Sequence, residues 1–241
     1  MKIQTFIFNW PGIKEGKTHY EMVTKKVEQL KNIEKNPIVI NSDEEHNQGD
    51  WHNIGNDGYF TAQFMKALEL FDGDVLFHIQ ADCYYDNWQP IYDSAIKYYK
   101  KYKWGIYAPN VDYTWYTSER TDLDMFRIPE DNLKMVANPD CTCWMIHKDI
   151  LKEAVKRNID FAPYKMGWSF DIIYTALCYM LKRPVLRDYR YTVKHPQETN
   201  YSKPQAEIEM HNFYNSLPEE IKRPFAMIKG DINQLAEYYK K

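Results

Sequence analysis

The feature that most constrains the fold is a largely apolar run at residues 75–79, Val-Leu-Phe-His-Ile, which lies between two groups of turn-forming residues. A run of this length is typical of a strand that is buried on both faces, as in a parallel sheet covered by helices. Residues 2–9 and 37–41 read as two further strands, and apolar residues at helical spacing separate the three runs. The first half of the chain therefore predicts parallel strands joined by helices.

The alternation continues through the second half of the chain in a less regular order. Apolar patterns predict strands at 105–109, 143–146 and 184–186, with a short extended piece at 191–193. Helices are predicted at 20–30, 60–71, 90–99, 150–155 and 170–181. Residues 110–140 show no period, and two helical patterns separated near Pro218 follow residue 203. We therefore expect an α/β domain whose sheet is parallel in its first half and mixed in its second half, with a helical tail.

Composition and charge exclude several classes of protein. The chain has 31 Lys and Arg against 34 Asp and Glu, a net charge of -3, whereas nonspecific nucleic-acid binding needs a basic surface. No apolar run reaches the ~18 residues of a membrane span, and the apolar piece at the N-terminus is too short for a signal peptide. Four cysteines are too few for a disulfide framework. We therefore expect a cytoplasmic protein with reduced thiols, without a membrane span and without a nucleic-acid partner.

Polar residues follow each of the three strands of the first half, at the edge where open α/β sheets bind ligands. They are Asn9-Trp10, Ser42-Asp43 and Gln80-Ala81-Asp82. A carboxylate at the end of a buried strand suits a hard divalent cation, which prefers oxygen ligands and can bridge a diphosphate. Asp82 is therefore a candidate cation ligand. The structural alternative is that Asp82 only forms a turn or caps a helix.

A second group of candidates lies at residues 166–171, Met-Gly-Trp-Ser-Phe-Asp. Ser169 reads as a helix N-cap, and Asp171 falls in the first turn of the helix. Asp171 is either a carboxylate base at the rim of the crevice, with Trp168 as a platform for a sugar ring, or an acid that stabilises the helix start by ~0.3–1 kcal/mol.

A third group of candidates lies at residues 193–201. His195 precedes Pro196, which favours an extended backbone for the histidine, and an imidazole can ligate a divalent ion. The alternative is that His195 is a structural or solvated histidine.

Taken in order, residues 74–82, residues 167–171, Asp188 and His195-Pro196 resemble the GT-A fold nucleotide-sugar glycosyltransferases, including small viral glycosyltransferases of that fold. The resemblance covers about residues 2–201 in scattered short motifs. It implies a GT-A-like α/β fold with a Rossmann-like nucleotide-binding half and a mixed central sheet flanked by helices. The expected boundaries are 1–202 for this domain and 203–241 for a helical C-terminal extension packed on it.

The resemblance also implies roles for single residues. Asp82 matches the last acid of the family's acidic triplet, which holds a divalent cation, Mn²⁺ or Mg²⁺, and His195 matches a histidine that completes the metal shell. Asp171 matches the general base of inverting members. Gln80 departs from the pattern, since the family has the first acid of the triplet there. The nucleotide-binding residues expected on this basis are Phe8, Asn9, Trp10, Asp43, Asn56, Gly58, Gln80 and Ala81.

Contacts to the donor or acceptor sugar are expected from Asp140, Trp168, Trp115 and Tyr116. Aromatic faces can stack on sugar rings, so the aromatic segment 113–116 is assigned to the acceptor side. The alternative for that segment is a packed loop over the sheet.

The expected reaction moves a sugar, a hexose or a pentose, from a UDP- or GDP-sugar to the hydroxyl of a glycan or other acceptor, with a divalent cation and inversion of the anomeric centre. Two other functions stay open on the sequence. One is a sugar nucleotidyltransferase, which also uses strand-end carboxylates and a divalent ion. The other is a non-catalytic carbohydrate-binding protein on a degenerate GT-A fold.

Overall fold

A computed structural model of the chain describes residues 1–112, 114–196 and 202–240. The strands are β1 (Ile3–Asn9), β2 (Ile13–Lys14), β3 (Lys17–Thr18), β4 (Ile38–Asn41), β5 (His52–Asn53), β6 (Val75–Gln80), β7 (Ile106–Val111), β8 (Leu133–Met135), β9 (Cys143–His147) and β10 (Val185–Val193). The helices are α1 (His19–Leu30), α2 (Phe60–Leu70), α3 (Gln89–Tyr102), α4 (Ser118–Thr121), α5 (Lys148–Lys156), α6 (Phe170–Met180), α7 (Lys203–Ser216), α8 (Glu219–Gly230) and α9 (Ile232–Lys240).

An eight-stranded sheet in the order β5-β4-β1-β6-β9-β7-β10-β8 forms the centre of the molecule. Strands β4, β1 and β6 run parallel, with Phe8 opposite Ile40 on one side and Gln80 on the other. Strand β9 is antiparallel to both β6 and β7, whereas β7 and β10 are parallel. The predicted parallel first half and mixed second half are confirmed. The carboxyl ends of β4, β1 and β6 therefore meet at one edge, beside the start of β9.

Apolar side chains cover both faces of this sheet. In β1, Phe6, Ile7 and Phe8 are fully buried. Phe8 packs against Phe60 of α2, at 5.7 Å between ring centroids. On the opposite face Phe77 of β6 packs against Tyr92 of α3 at 5.4 Å. Burial on both faces explains why these strands read as continuous apolar runs rather than as alternating ones.

Helix α6 is buried on nearly every side, from Phe170 to Tyr179. One part of it meets the sheet and another part meets α8 and α9 of the C-terminal segment. Phe213 of α7 lies 6.2 Å from Phe170 between ring centroids. The C-terminal helices therefore complete the core around α6.

Within the described ranges, no helix combines the length and the apolar character that crossing a bilayer requires.

Three predictions of secondary structure are corrected. The pieces predicted at 184–186 and 191–193 form one strand, β10, whose pairing with β7 shifts between Asp188 and Thr192. This β-bulge breaks the alternation that the sequence pattern depends on. Residues 110–140, predicted to be irregular, contain α4 and β8, which are too short to show a period. The second C-terminal pattern is divided into α8 and α9 because the Asp231 carboxylate accepts backbone N–H groups at the start of α9.

At the N-terminus of α6, Gly167 packs closely against a neighbouring ring, and Ser169 occupies the N-cap position without a capping hydrogen bond from its side chain to the described part of the chain. Gly167 has φ +74°, and a Cβ there would lie 2.1 Å from the Phe60 ring. Ser169 has φ 84°, and its side chain makes no capping hydrogen bond to any described residue. Ser169 therefore occupies the N-cap position, as predicted, but its hydroxyl does not cap the helix, because a capping side chain needs an extended backbone.

Candidate active site

Asp82 and His195 lie side by side at the carboxyl edge of the sheet. The Nε2 atom of His195 is 3.5 Å from Asp82 Oδ2. Backbone hydrogen bonds between Tyr84 and Lys194, 2.8 and 2.9 Å long, join the turn after β6 to the segment after β10. The His195 N–H also donates to Asp112 Oδ1 at 2.8 Å. The structure thus brings together the two residues expected to hold a cation. Residues 197–201 of the same predicted segment lie outside the described residues.

Several buried polar atoms along this edge have no hydrogen-bond partner within the part of the chain that the structure describes. They are Asn9 Oδ1, His19 Nε2, Asp82 Oδ1 and His195 Nδ1. A buried polar atom without a partner costs ~1–3 kcal/mol, so such atoms are retained most readily where a ligand pairs with them. Their presence at the strand ends makes this edge a candidate binding site.

The donor set fits a divalent cation that is only partly held by protein. Across residues 1–112, 114–196 and 202–240, no group of three His, Cys, Asp or Glu side chains forms a metal cage. Mg²⁺ commonly binds through one or two protein carboxylates together with substrate phosphates and water. The Asp82 carboxylate and the His195 imidazole, with their unpaired Oδ1 and Nδ1 atoms, match that incomplete shell.

A cavity of about 500 Å³ opens beside this pair, between α1, the turn at 82–85 and residues 194–196. We call it the lysine cleft, because its walls carry Lys14, Lys17, Lys25, Lys26 and Lys194 together with Asp82 and His195. Ammonium groups are strong partners for phosphate. Glu15, Glu21 and Asp112 also line the cavity, but Glu21 is engaged with Thr18 in the capping box of α1 and Asp112 accepts the His195 N–H. The cleft therefore combines a candidate cation site with lysines suited to a diphosphate.

Lys26 is buried and holds the turn that carries Asp82. Its Nζ donates to the backbone oxygens of Gln80 at 2.6 Å and of Ala81 at 3.0 Å. Burial lowers the pKa of Lys26 to about 8. Gln80 and Ala81, predicted as nucleotide contacts, thus take part in a link between α1 and the turn through their backbones. Sequence reasoning missed Lys26, although a lysine on the apolar face of α1, between Val23 and Leu30, was the available signal.

His19 at the start of α1 was also missed. It is fully buried, and its Nδ1 lies 3.0 Å from the Trp10 backbone oxygen. The ring packs against Trp10, at 4.7 Å between centroids, and against Gly12, where a Cβ would lie only 2.5 Å from it. Burial lowers the pKa of His19, and the neighbouring Asp82 opposes that shift. This arrangement places a second histidine, in addition to His195, near the turn that carries Asp82.

The strand-end amides predicted to contact the nucleotide lie together. Asn9 Nδ2 donates to Asn41 Oδ1 at 2.7 Å, and Gln63 Nε2 donates to the Asn9 backbone oxygen at 2.6 Å. The Asp43 carboxylate is already engaged, since it accepts the backbone N–H groups of Glu45 and His46 and lies 3.0 Å from the His46 ring. Asn9 is therefore better placed than Asp43 for a new contact.

Three other predicted nucleotide contacts have structural roles. Phe8 is fully buried against Phe60 and His78, so its side chain belongs to the core. Asn56 is exposed and pairs with Glu44, since its amide oxygen accepts the Glu44 N–H and its amide nitrogen donates to the Glu44 carboxylate. A Cβ at Gly58 would lie 2.5 Å from Ile54, so that glycine allows a close packing contact.

Asp171 lies in a second group of residues, a hydrogen-bonded cluster that we call the Asp171 pocket: the buried Asp171, Asn138 and Thr175 with the half-buried Tyr116. Asn138 Nδ2 donates to Asp171 Oδ2 at 2.7 Å, and the Tyr116 hydroxyl also hydrogen-bonds to Asp171. Thr175 Oγ1 donates to Asn138 Oδ1 at 2.8 Å. Burial raises the pKa of Asp171, and the hydrogen bonds from Tyr116 and Asn138 oppose that rise. Tyr116, predicted as a sugar contact, thus touches the candidate base.

The remaining predicted sugar contacts lie around this pocket. The Asp140 carboxylate raises the pKa of Asp171 and accepts the Thr142 N–H at 2.9 Å. The Thr142 backbone oxygen accepts the Gln80 N–H at 2.9 Å, so residues 140–142 lie beside the turn that carries Asp82. Trp115 is 64% exposed and Trp168 is half-buried. Position 113 of the aromatic segment lies outside the described residues.

Comparisons with known proteins locate the chain by its fold. No protein-family model matches the sequence, and no match was found among curated proteins. The structure of S. aureus TarS residues 1–349 in complex with UDP-GlcNAc matches with a TM-score of 0.59 at 11% identity, over 97% of this chain and 72% of that chain. The structure of GalNAc-T7 with UDP, GalNAc and Mn²⁺ matches with a TM-score of 0.59 at 11% identity, over 99% of this chain and 54% of that chain.

These similarities confirm the expected class of fold. The chain has the α/β GT-A fold, as a single domain with C-terminal helices, and it resembles the GT-A glycosyltransferases in structure. It spans about half the length of the GalNAc-T7 chain. At this level of identity the comparison establishes the fold alone.

Proposed function

We propose that the protein is a divalent-cation-dependent glycosyltransferase that moves a sugar from a nucleoside diphosphate sugar to an acceptor hydroxyl with inversion. The observation that carries the proposal is the Asp82–His195 pair, whose atoms approach to 3.5 Å at the carboxyl edge of the sheet and include unpaired buried Oδ1 and Nδ1 atoms among the described residues. The donor class is supported by the GT-A fold and by the UDP-GlcNAc and the UDP with Mn²⁺ in the matched structures.

The leaving diphosphate gains negative charge as the glycosidic bond breaks. When bound, a divalent cation supplies charge neutralisation there, and Asp82 and His195 are the residues that would hold it. The lysines of the lysine cleft add positive charge beside the same phosphates. Lys26 keeps the Gln80 and Ala81 carbonyls, and so the turn carrying Asp82, in one arrangement. At the neighbouring strand ends, Asn9 and Asp43 are the proposed contacts to the nucleoside.

The acceptor hydroxyl is a weak nucleophile at neutral pH, and Asp171 is the proposed base that removes its proton. Such a base contributes ~10²–10⁴-fold to the rate. Burial raises the pKa of Asp171, which makes its carboxylate a stronger proton acceptor than an exposed aspartate. Attack from the face opposite to the diphosphate inverts the anomeric centre. Asp140, Trp168 and the exposed Trp115 are the proposed contacts to the donor or acceptor sugar.

A donor screen tests this proposal without knowledge of the acceptor. Purified protein with Mn²⁺ is offered a panel of UDP- and GDP-sugars, and slow hydrolysis is followed by release of the nucleoside diphosphate. We expect release from one donor class that is abolished by chelation and by Asp82→Ala, and that is unchanged by Asp86→Ala, which removes an exposed acid four residues away. Absence of metal-dependent hydrolysis of any nucleotide sugar would contradict the proposal.

A sugar nucleotidyltransferase is the second candidate, because lysines follow the first strand. Lys14 and Lys17 lie on the β2–β3 hairpin directly after β1 and line the same cavity as Asp82. Product analysis separates the two reactions, since a nucleotidyltransferase releases pyrophosphate and a glycosyltransferase releases a nucleoside diphosphate. Binding of a sugar in the absence of any nucleotide would instead favour the non-catalytic carbohydrate-binding protein.

A further inference from the structure

The side chain of Arg187 connects the two segments that surround Asp171. Arg187 lies on β10 and is only 2% exposed. Its Nη1 donates to the Tyr116 backbone oxygen at 2.7 Å, and its Nη2 donates to the Asn138 backbone oxygen at 3.0 Å. Tyr116 and Asn138 are also the residues whose side chains hydrogen-bond to the Asp171 carboxylate. One guanidinium therefore fixes both backbones from which the carboxylate receives its hydrogen bonds.

The positive charge of Arg187 is linked to the Asp122 carboxylate through the Tyr189 hydroxyl. Its Nη1 lies 3.2 Å from the Tyr189 hydroxyl, which donates to Asp122 Oδ1 at 2.5 Å. Asp122 is near enough for the positive charge of Arg187 to lower its pKa against the effect of burial. A planar guanidinium can donate in two fixed directions at once, whereas an ammonium cannot reproduce that geometry. The position is therefore built for arginine in particular.

The amide of Asn138 is held in one orientation. Thr175 Oγ1 donates to Asn138 Oδ1 at 2.8 Å, which leaves the amide nitrogen facing Asp171 Oδ2 at 2.7 Å. If the Thr175 hydroxyl were absent, the amide could turn and present its oxygen to the carboxylate. Thr175 thus acts on Asp171 through Asn138, as Arg187 acts on it through two backbones.

The groups that face Asp171 come from several elements. They are the Tyr116 hydroxyl, the Asn138 amide, the Ile172 N–H, the Asp140 carboxylate and the Cys141 thiol. Burial and Asp140 raise the pKa of Asp171, whereas Tyr116, Asn138 and Ile172 lower it by stabilising the ionised form. Loss of the orientation of Tyr116 or Asn138 therefore shifts the pKa upward.

We propose that Arg187 and Thr175 are positioning residues for Asp171, acting through Tyr116 and Asn138, which set the direction of the carboxylate and the hydrogen bonds it receives. The consequence for catalysis rests on the proposed function of Asp171 as the base. The arrangement itself does not depend on that function, so the two can be tested separately.

The test compares Arg187→Lys and Thr175→Val with the wild-type protein. The control is Tyr179→Phe, which removes a buried hydroxyl of the same helix that donates to the Val136 backbone oxygen, outside the Asp171 pocket. The pKa of the Asp171 carboxyl is measured by ¹³C NMR, and kcat and donor KM are measured against pH. We expect both test variants to raise the Asp171 pKa, to move the acid limb of kcat upward and to lower kcat by about tenfold to 10²-fold at neutral pH with donor KM unchanged. Tyr179→Phe should change none of these.

Each result decides between the alternatives. Wild-type pKa and pH profile in Thr175→Val, or in a folded Arg187→Lys, would overturn the positioning role of the residue concerned. Thr175→Val keeps the proposal testable if Arg187→Lys does not fold. An upward pKa shift in a protein that transfers no sugar to any acceptor would support the positioning role and contradict the proposed function. Equal loss of kcat in the Tyr179→Phe control would show a general packing effect and would overturn the proposal.

Discussion

In the lysine cleft Asp82 Oδ1 and His195 Nδ1 have no hydrogen-bond partner among the described residues, whereas in the Asp171 pocket the carboxylate accepts hydrogen bonds from two side chains. Both regions lie at the carboxyl edge of one sheet, and the Asp140–Thr142 segment runs between them. An unpaired buried atom is a cost that a ligand can remove. A paired network instead fixes a reactive group before the substrate arrives. Under the proposed function, the lysine cleft is therefore the part that binds the donor, and Asp171 is the group that reacts.

The largest expected effect in this comparison is on the rate. Asp171→Asn should lower sugar transfer by ~10²–10⁴-fold, because an amide cannot take the proton of the acceptor hydroxyl. Affinity for the nucleotide should change little, since the cleft that binds it is separate. Steady-state transfer and nucleotide binding by calorimetry measure the two quantities. Normal transfer by this variant would reduce Asp171 to an acid at the start of a helix.

A smaller effect is expected when the support of the cleft is removed. Lys26→Met deletes both hydrogen bonds to the Gln80 and Ala81 carbonyls, so the turn that carries Asp82 is no longer fixed. We expect about tenfold weaker metal-dependent nucleotide binding, the equivalent of ~1.4 kcal/mol. Lys31→Met is the matched control, since Lys31 is exposed beyond the end of the same helix and pairs with Glu28. Equal affinity in the two variants would leave Lys26 with a packing role only.

The smallest expected effect is on stability and its pH dependence. Because burial raises the pKa of Asp171 above its unfolded value, the folded state binds more protons and loses stability as pH rises through that pKa. At pH 7 the charged carboxylate therefore destabilises the fold, and Asp171→Asn should raise Tm. The difference should shrink as pH falls through the folded pKa toward ~3.9, the usual value for an unfolded aspartate. A lower Tm for Asp171→Asn at pH 7 would contradict this account of the pocket.

The sequence alone predicted the α/β fold with its mixed sheet, and it named Asp82, His195 and Asp171 as candidate site residues. The run at 75–79 placed Asp82 at the end of a central strand because continuous apolar burial leaves a clear local pattern. The order of motifs also placed His195 and Asp171 among the candidates. Their roles in chemistry stay predictions. What the structure adds for these residues is their neighbours.

Those neighbours could not be read from the chain because they are joined across long sequence separations. Arg187 reaches Tyr116 and Asn138, which are 71 and 49 residues away. A buried arginine in a strand has no periodic signal that names its partners. The position of the cap at Ser169 was readable from the sequence, but the positive φ of Ser169, which leaves its hydroxyl without a capping hydrogen bond, was not. Lys26 was also missed, although a lysine on an apolar helix face is a signal that the sequence does carry.

Calorimetric titration of the protein with UDP and with GDP, in the presence and absence of Mn²⁺, tests the central claim most directly. We predict that one nucleotide binds only with Mn²⁺, that Asp82→Ala abolishes this binding, and that Asp86→Ala leaves it intact. Nucleotide binding that is the same without Mn²⁺, or that survives Asp82→Ala unchanged, would contradict the account.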